Sequence, residues 1–303
     1  MKVTLDLDLL VSQGKLSTLE AERLKSYASQ ETTALGSNIF LAFGIVAVVI
    51  GAGVLLPTLE TVLVLGGLLF ALGFGFRIGK VERWALFAQI VMVAGALALG
   101  GAIIGLFGGS LLIKLLLAAG LAIAAIAAMS GLLASLSVVS LGAAIMTGSE
   151  MLEPSSYLTV TIVILSALVL ALYIVSLRLQ PLQERLAIVA MRTAILMVNV
   201  AFYAGTLFGD SVLGLPSEAF TVVWALALVL FGTWAVFADR RWVVNSVAVF
   251  GAIHFFTQWF MALGAQPFSI LVGGLLLIGF GLALARFNQM QHGRRHPPRP
   301  LEA

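Results

Sequence analysis

From Asn38 to Arg286 the chain is almost unbroken apolar sequence, and its few positive charges fall in alternate gaps between the hydrophobic runs. With 61% hydrophobic and 10% charged residues, such a chain cannot cover itself with polar surface. A soluble domain carries about 25% charged residues. The expected solvent is lipid, where every backbone N–H and C=O must be satisfied internally, so each apolar run is read as a helix. A helix crosses the hydrocarbon core with about 20 apolar residues. Segments of that kind lie at 38–56, 59–76, 84–107, 111–128, 131–147, 157–177, 186–208, 219–238, 243–263 and 268–285. The expected fold class is all-α, a polytopic membrane helical bundle of about ten transmembrane helices. Residues 1–36 form a short cytosolic helical hairpin in this reading, 37–286 the transmembrane domain and 287–303 a disordered basic tail.

The charges supply the threading. Lys and Arg accumulate in cytoplasmic loops. With both termini cytoplasmic, all of the 17 Lys and Arg residues except Lys114 and Arg192 fall inside, including Arg77, Lys80, Arg83, Arg178, Arg185, Arg240, Arg241 and Arg286. The outer loops hold Glu60, Glu150, Glu153, Asp210 and Glu218 instead. Two short helices between Leu111 and Thr147 preserve this parity, whereas one long helix breaks it. Trp84, Trp224, Trp242, Trp259 and Tyr157 are expected near the membrane interfaces. The basic residues are scattered over short loops, which argues against a nucleic-acid surface. No cysteine is present, which excludes disulfides and thiolate chemistry. Asp6 and Asp8 precede any apolar run, so no cleavable signal peptide is expected.

At the N-terminus, Leu5, Leu9 and Leu10 make a short apolar face, and Gly14 is a helix stop. Ser17 and Glu20 then fit a capping box that opens a second helix. Leu24, Tyr27 and Ala28 continue its apolar stripe. The tail, with its GRRHPPRP run, has a disordered composition. Its arginines can meet anionic headgroups, and His292 and His296 are the metal-capable pair there.

The segments GKLSTLEAERL at 14–24, GIVAVVIGAGVLLP at 44–57 and GALALGGAIIGLFG at 95–108 resemble a family of predicted bacterial membrane proteins catalogued as domain of unknown function 2157. The resemblance covers about the first half of the chain. It implies a bacterial inner-membrane protein and supplies no activity. After the first and third spans, where family members carry aromatic and amide residues, this chain has LLPTLE and LFGGSLLIK.

Ionisable groups inside spans are functional candidates, because a central Arg or Lys costs about 2.5–3.5 kcal/mol on insertion scales. Lys114 lies near the outer end of its span, placed either to snorkel or to serve a pathway. Arg192 is followed on one helical face by Asn199, Tyr203 and Thr206, which return to within about 40° of its direction. That stripe reads as a substrate or ion path, or as interhelical hydrogen bonding that sets packing. His254, halfway along the ninth segment with Gln258 one turn on, reads as a proton relay or as a core histidine satisfied by one acceptor. Gly101 with Gly105 forms a G-x-x-x-G pair, and Gly44 and Gly51 share a face, so these four are the expected helix-packing positions. Gly66, Gly67 and Gly73 add small-residue surface.

No Asp or Glu lies deep in a span, which argues against carboxylate-coupled transport. Neither a G-x-S-x-G elbow nor an H-E-x-x-H pair occurs, which argues against a membrane hydrolase. No cofactor is expected. Two functions stay open: a transporter of a small neutral or anionic solute, and a non-transporting scaffold or regulatory subunit that binds a protein partner through the hairpin. The lipid bilayer is the one certain neighbour on this reading, with a homo-oligomer also open. An even number of spans suits two inverted halves, although the halves show no sequence echo.

Overall fold

A computed structural model describes residues 7–79, 84–147, 157–238, 240–264 and 266–295. Lys80, Arg83, Glu150, Glu153, His296 and Arg299, together with the start of the hairpin through Asp6, lie outside the described residues. The chain is 87% helix, and no strand forms among the described residues. The helices are α1 (Leu7–Ser12), α2 (Thr18–Leu55), α3 (Leu59–Ile78), α4 (Ala85–Leu106), α5 (Leu111–Ala127), α6 (Gly131–Thr147), α7 (Leu158–Ser176), α8 (Pro181–Phe208), α9 (Ser217–Phe237), α10 (Arg241–Leu263) and α11 (Pro267–Arg295).

Six of them, α3, α4, α7, α8, α9 and α10, are long and apolar enough to cross a membrane. Shorter apolar stretches occupy 39–55 of α2, α5, α6 and 267–283 of α11. At 1.5 Å per residue, a helix of about 17 residues spans roughly 26 Å, a little short of the hydrocarbon core of about 30 Å. Large apolar side chains stand outward along these helices, with Phe40 at 82% and Phe237 at 90% exposure. Water does not tolerate so much contiguous apolar surface. The fold fits a multi-pass protein embedded in a membrane.

Two boundaries differ from expectation. The capping box is formed: Glu20 N donates to Ser17 Oγ at 3.3 Å and Ser17 N to a Glu20 carboxylate oxygen at 3.0 Å. The helix it opens does not stop near residue 36, however, and runs on to Leu55. No proline occurs between Thr18 and Leu55, and Gly36, Gly44, Gly51 and Gly53 all continue the helix, so the backbone ladder is not broken. Similarly, α11 continues past Asn288 to Arg295, into the stretch expected to be disordered, and the first strong breakers are Pro297 and Pro298.

The helices divide into two compact units. The first holds α1 to α6 as far as Ala144, together with Leu170–Thr193. The second holds the last turn of α6, α7 through Val169 and the helices from Ala194 on.

In the first unit α3 and α4 lie antiparallel with their backbones in close approach. A Cβ on Gly66 would fall 2.7 Å from Leu99 N, and one on Gly73 2.5 Å from Met92 N. One on Gly95 would strike Phe70 N. These are the packing glycines. At Gly44, Gly51 and Gly101 an added Cβ meets nothing within 4 Å, and at Gly105 it meets only the flexible end of Leu59. Of the expected G-x-x-x-G pair, Gly105 thus packs on Leu59 of α3 whereas Gly101 faces open space, and the backbone-to-backbone approach falls at Gly66, Gly73 and Gly95 instead. Met92, Ala96, Leu121, Ala125 and Leu133 form the main buried cluster. Arg77, at the end of α3, donates through Nε to Ala128 O at 3.0 Å and through Nη2 to Met129 O at 3.2 Å. It thereby satisfies carbonyls left open at the C-terminus of α5, where Met129 takes a φ of +47°. The stretch between Leu111 and Thr147 is two helices with a turn, and the turn lies beside the C-terminal end of α3.

Candidate functional site

Polar side chains at span depth gather in the second unit, around Trp224 of α9. Its indole is 1% exposed. The indole N–H donates to Asn199 Oδ1 of α8 at 3.0 Å, and Asn199 Nδ2 donates to Ile195 O, one turn back, at 2.8 Å. The His254 ring of α10 meets the Trp224 ring edge-to-face, with centroids 4.9 Å apart and planes at 77°. Tyr203 and Phe202 of α8 approach the same indole at 6.3 and 6.4 Å. Such geometries suit the ring quadrupoles. The result is an aromatic wall with one fixed amide and one imidazole.

Two polar atoms are buried without a hydrogen-bond partner among the described residues, His254 Nδ1 and Thr159 Oγ1. Only the first belongs to the Trp224 cluster. A buried group left unpaired costs about 1–3 kcal/mol, so its retention calls for a reason. One turn further along α10, Gln258 Nε2 lies 3.5 Å from Thr221 Oγ1 of α9. Thr221 itself donates to Ser217 O.

Of the six path candidates, the structure brings Asn199, Tyr203 and His254 around Trp224, with Gln258 beside them. Thr206 is buried, and its hydroxyl donates to Tyr203 O of its own helix at 2.7 Å. Arg192 falls in the first unit, with its side chain exposed. The stripe is thus divided. Trp224 was expected at an interface and is instead the most enclosed aromatic of the second unit; its place seven residues into α9, facing the α8 amide, was the available signal.

Asp210 follows α8 in a tight loop and was read only as an outer-loop charge. It is 2% exposed. Its Oδ2 accepts from Thr159 N at the start of α7 at 2.9 Å, and its Oδ1 accepts from Val212 N and Leu213 N at 3.0 Å each. A two-bond bridge between Asp210 and Leu215 closes the loop, with Gly209 and Gly214 at φ of +70° and +64°. Burial pushes the pKa of this carboxyl upward, but the backbone N–H donors of Leu213, Thr159 and Val212 outweigh it and hold the pKa below the ordinary aspartate range. The run GDSVLGLP at 209–216 held this signal, since an Asp flanked by glycines on either side of a short loop marks an Asx-type turn.

No group of three or more His, Cys, Asp or Glu side chains gathers into a metal-holding set among the described residues. With its amide, imidazole and stacked rings, the Trp224 cluster is suited to hydrogen bonding and stacking. Comparison with known proteins returned no matching family model, no similar curated sequence and no similar solved structure.

Proposed function

We propose that the chain is a ten-span inner-membrane protein with both termini cytoplasmic, which moves a small neutral or anionic solute through a path that includes His254. The observation that carries this reading is the unpartnered His254 Nδ1 at span depth, held against Trp224 while Asn199 occupies the indole N–H. The cluster offers one open hydrogen-bonding position in an aromatic wall. That is a binding arrangement. Charge parity supports the threading, as does the α5–α6 turn beside Arg77, because it ends α5 at the level where α3 ends. The family resemblance to domain of unknown function 2157 agrees with this location and is proposed with it.

The test is flux in proteoliposomes across a panel of neutral and anionic solutes, with His254→Phe beside the wild type. Phenylalanine keeps the ring contact with Trp224 and removes both nitrogens. Loss of flux for one solute class supports the reading. Equal flux by both proteins for every transported solute removes His254 from the path. Reporter fusions at the Arg178–Arg185 and Arg240–Arg241 turns should both report cytoplasm, and opposite sides would overturn the threading.

A second reading has one observation in its favour. Leu19 and Leu24 stand 60% and 42% exposed on the part of α2 that precedes its apolar stretch, a surface for a protein partner of a scaffold or regulatory subunit. Leu19→Glu with Leu24→Glu should then abolish co-purification of that partner while leaving solute flux unchanged.

A further inference from the structure

An apolar slot of about 460 Å³ opens between α3, α4 and α5 in the first unit, within the volume range of small-molecule sites. Phe70, Leu99, Ile103, Ile113, Leu117 and Gly120 mark its course, and every lining side chain is apolar. Along α5 it extends from Ile113 to Ala124, about 16 Å at 1.5 Å per residue. A Cβ on Gly120 would meet nothing within 4 Å, so the gap reaches the helix backbone. An empty slot of this shape would forfeit dispersion contacts along its whole lining, and in a membrane the available filler is hydrocarbon.

A buried lysine lies next to one end of the slot. Lys114 follows Ile113 and is 7% exposed. Helical side chains lean toward the helix start, and Lys114 follows that rule: its Cε lies 3.7 Å from the place of a Cβ on Gly109. Gly108 and Gly109, both at positive φ, form the turn between α4 and α5. An elongated hydrocarbon slot with a cation at its turn end matches one lipid tail below one anionic headgroup.

We propose that this slot holds an acyl chain of an anionic phospholipid, with the headgroup phosphate at the α4–α5 turn beside Lys114. The site is independent of the His254 path. Its interaction with the headgroup should resemble that of one basic residue at an anionic surface, a preference of roughly fivefold.

The probes are phosphatidylglycerol and phosphatidylcholine with identical tails, each offered to the full-length protein in mild detergent and read by native mass spectrometry. Wild type should retain the anionic lipid about fivefold over the zwitterionic one. Lys114→Gln should bring the two toward parity without lowering retention of phosphatidylcholine. Gly120→Leu should lower retention of both by filling the slot. Unchanged retention in Gly120→Leu, or an unchanged preference in Lys114→Gln, would overturn the proposal in favour of loosely held surrounding lipid. Should Gly120→Leu fail to fold, wild type with a photoreactive-tail phosphatidylglycerol decides instead: labelling is expected to concentrate on α4 and α5, and equal labelling of α9 overturns the site. The chain has no cysteine, so a single Leu116→Cys on the rim gives a clean test for a second copy. A disulfide-linked dimer that excludes the lipid would also overturn it.

Discussion

Replacing Gly73 by alanine adds one methyl group where the first unit has no room for it. The new Cβ would lie 2.5 Å from Met92 N, 2.6 Å from Ala88 O and 2.7 Å from Met92 Cβ. Two of these neighbours are backbone atoms, which cannot rotate aside. Restoring ordinary contact requires α4 to retreat by about 1 Å, since close-packed interiors leave no slack. That shift also disturbs Phe87, Ala88 and Val91, all buried on the same helix. Overpacking of this kind costs about 1–3 kcal/mol. At about 2–4 °C per kcal/mol the melting temperature should fall by roughly 2–12 °C. The matched control is Gly101→Ala on α4, where the methyl group meets nothing within 4 Å. There the helix-propensity gain, up to about 1 kcal/mol, should leave stability equal or slightly raised. Heating both variants in one detergent and counting monodisperse protein by size exclusion compares them. A loss at Gly101 as large as that at Gly73 would refute the assignment of the seam.

Arg77→Ala should destabilise the first unit by about 1.5–3 kcal/mol by releasing Ala128 O and Met129 O, and amide exchange at Leu133 and Ala134 should accelerate; Arg77→Lys should recover only part, because a lysine lacks the planar fork. Asp210→Asn should lower the stability of the second unit by about 1–3 kcal/mol near neutral pH, since an amide cannot accept from all three N–H donors. Because the folded pKa of Asp210 lies below the ordinary value, its contribution is present above the unfolded pKa of about 3.9 and lost as pH falls through the folded one. Melts from pH 7 to pH 3 should show that acid-side loss in wild type and its reduction in Asp210→Asn. Trp224→Phe with Asn199→Ala should give a coupling of about 0.5–3 kcal/mol in a double-mutant cycle, and strict additivity would argue against the 3.0 Å bond.

Helix content and membrane character were legible because both depend on averages. Lipid permits few backbone solutions, and long apolar runs between charged turns mark where helices lie. Helix ends were less legible. The passage from Glu31 to Asn38 changes from polar to apolar and carries Gly36, Ser37 and Asn38, so composition suggested a boundary, whereas the helix runs through it. Packing glycines were the least legible, because Gly66, Gly73, Gly95 and Gly101 all sit in similar surroundings in sequence. Which of them meets a neighbouring backbone depends on the rotation of α3 and α4 about their axes, which local spacing does not set. Asp210 illustrates the same point from the polar side, since one of its three donors, Thr159 N, stands 51 residues away.

The polar stripe on α8 shows which intramembrane groups carry functional information. Its geometry was sound as direction, but direction does not say whether a group is already satisfied. A hydroxyl on a helix finds an acceptor in its own preceding turn: Thr193 bonds Val189 O, Thr206 bonds Tyr203 O, Thr221 bonds Ser217 O, Thr233 bonds Val229 O and Ser246 bonds Trp242 O. Such residues are inexpensive in lipid and say little about a path. An amide has two ends, so Asn199 can satisfy its N–H locally and still requires a donor for its oxygen, which Trp224 supplies. An imidazole has no comparable bond to its own turn, and the Nδ1 of His254 meets no donor or acceptor from α8 or α9 either. Ranking the polar groups by whether their own helix can satisfy them moves Thr206 down and His254 to the front. By that ordering His254 is the position where adding a solute's hydrogen bond gains most and displaces no existing protein contact.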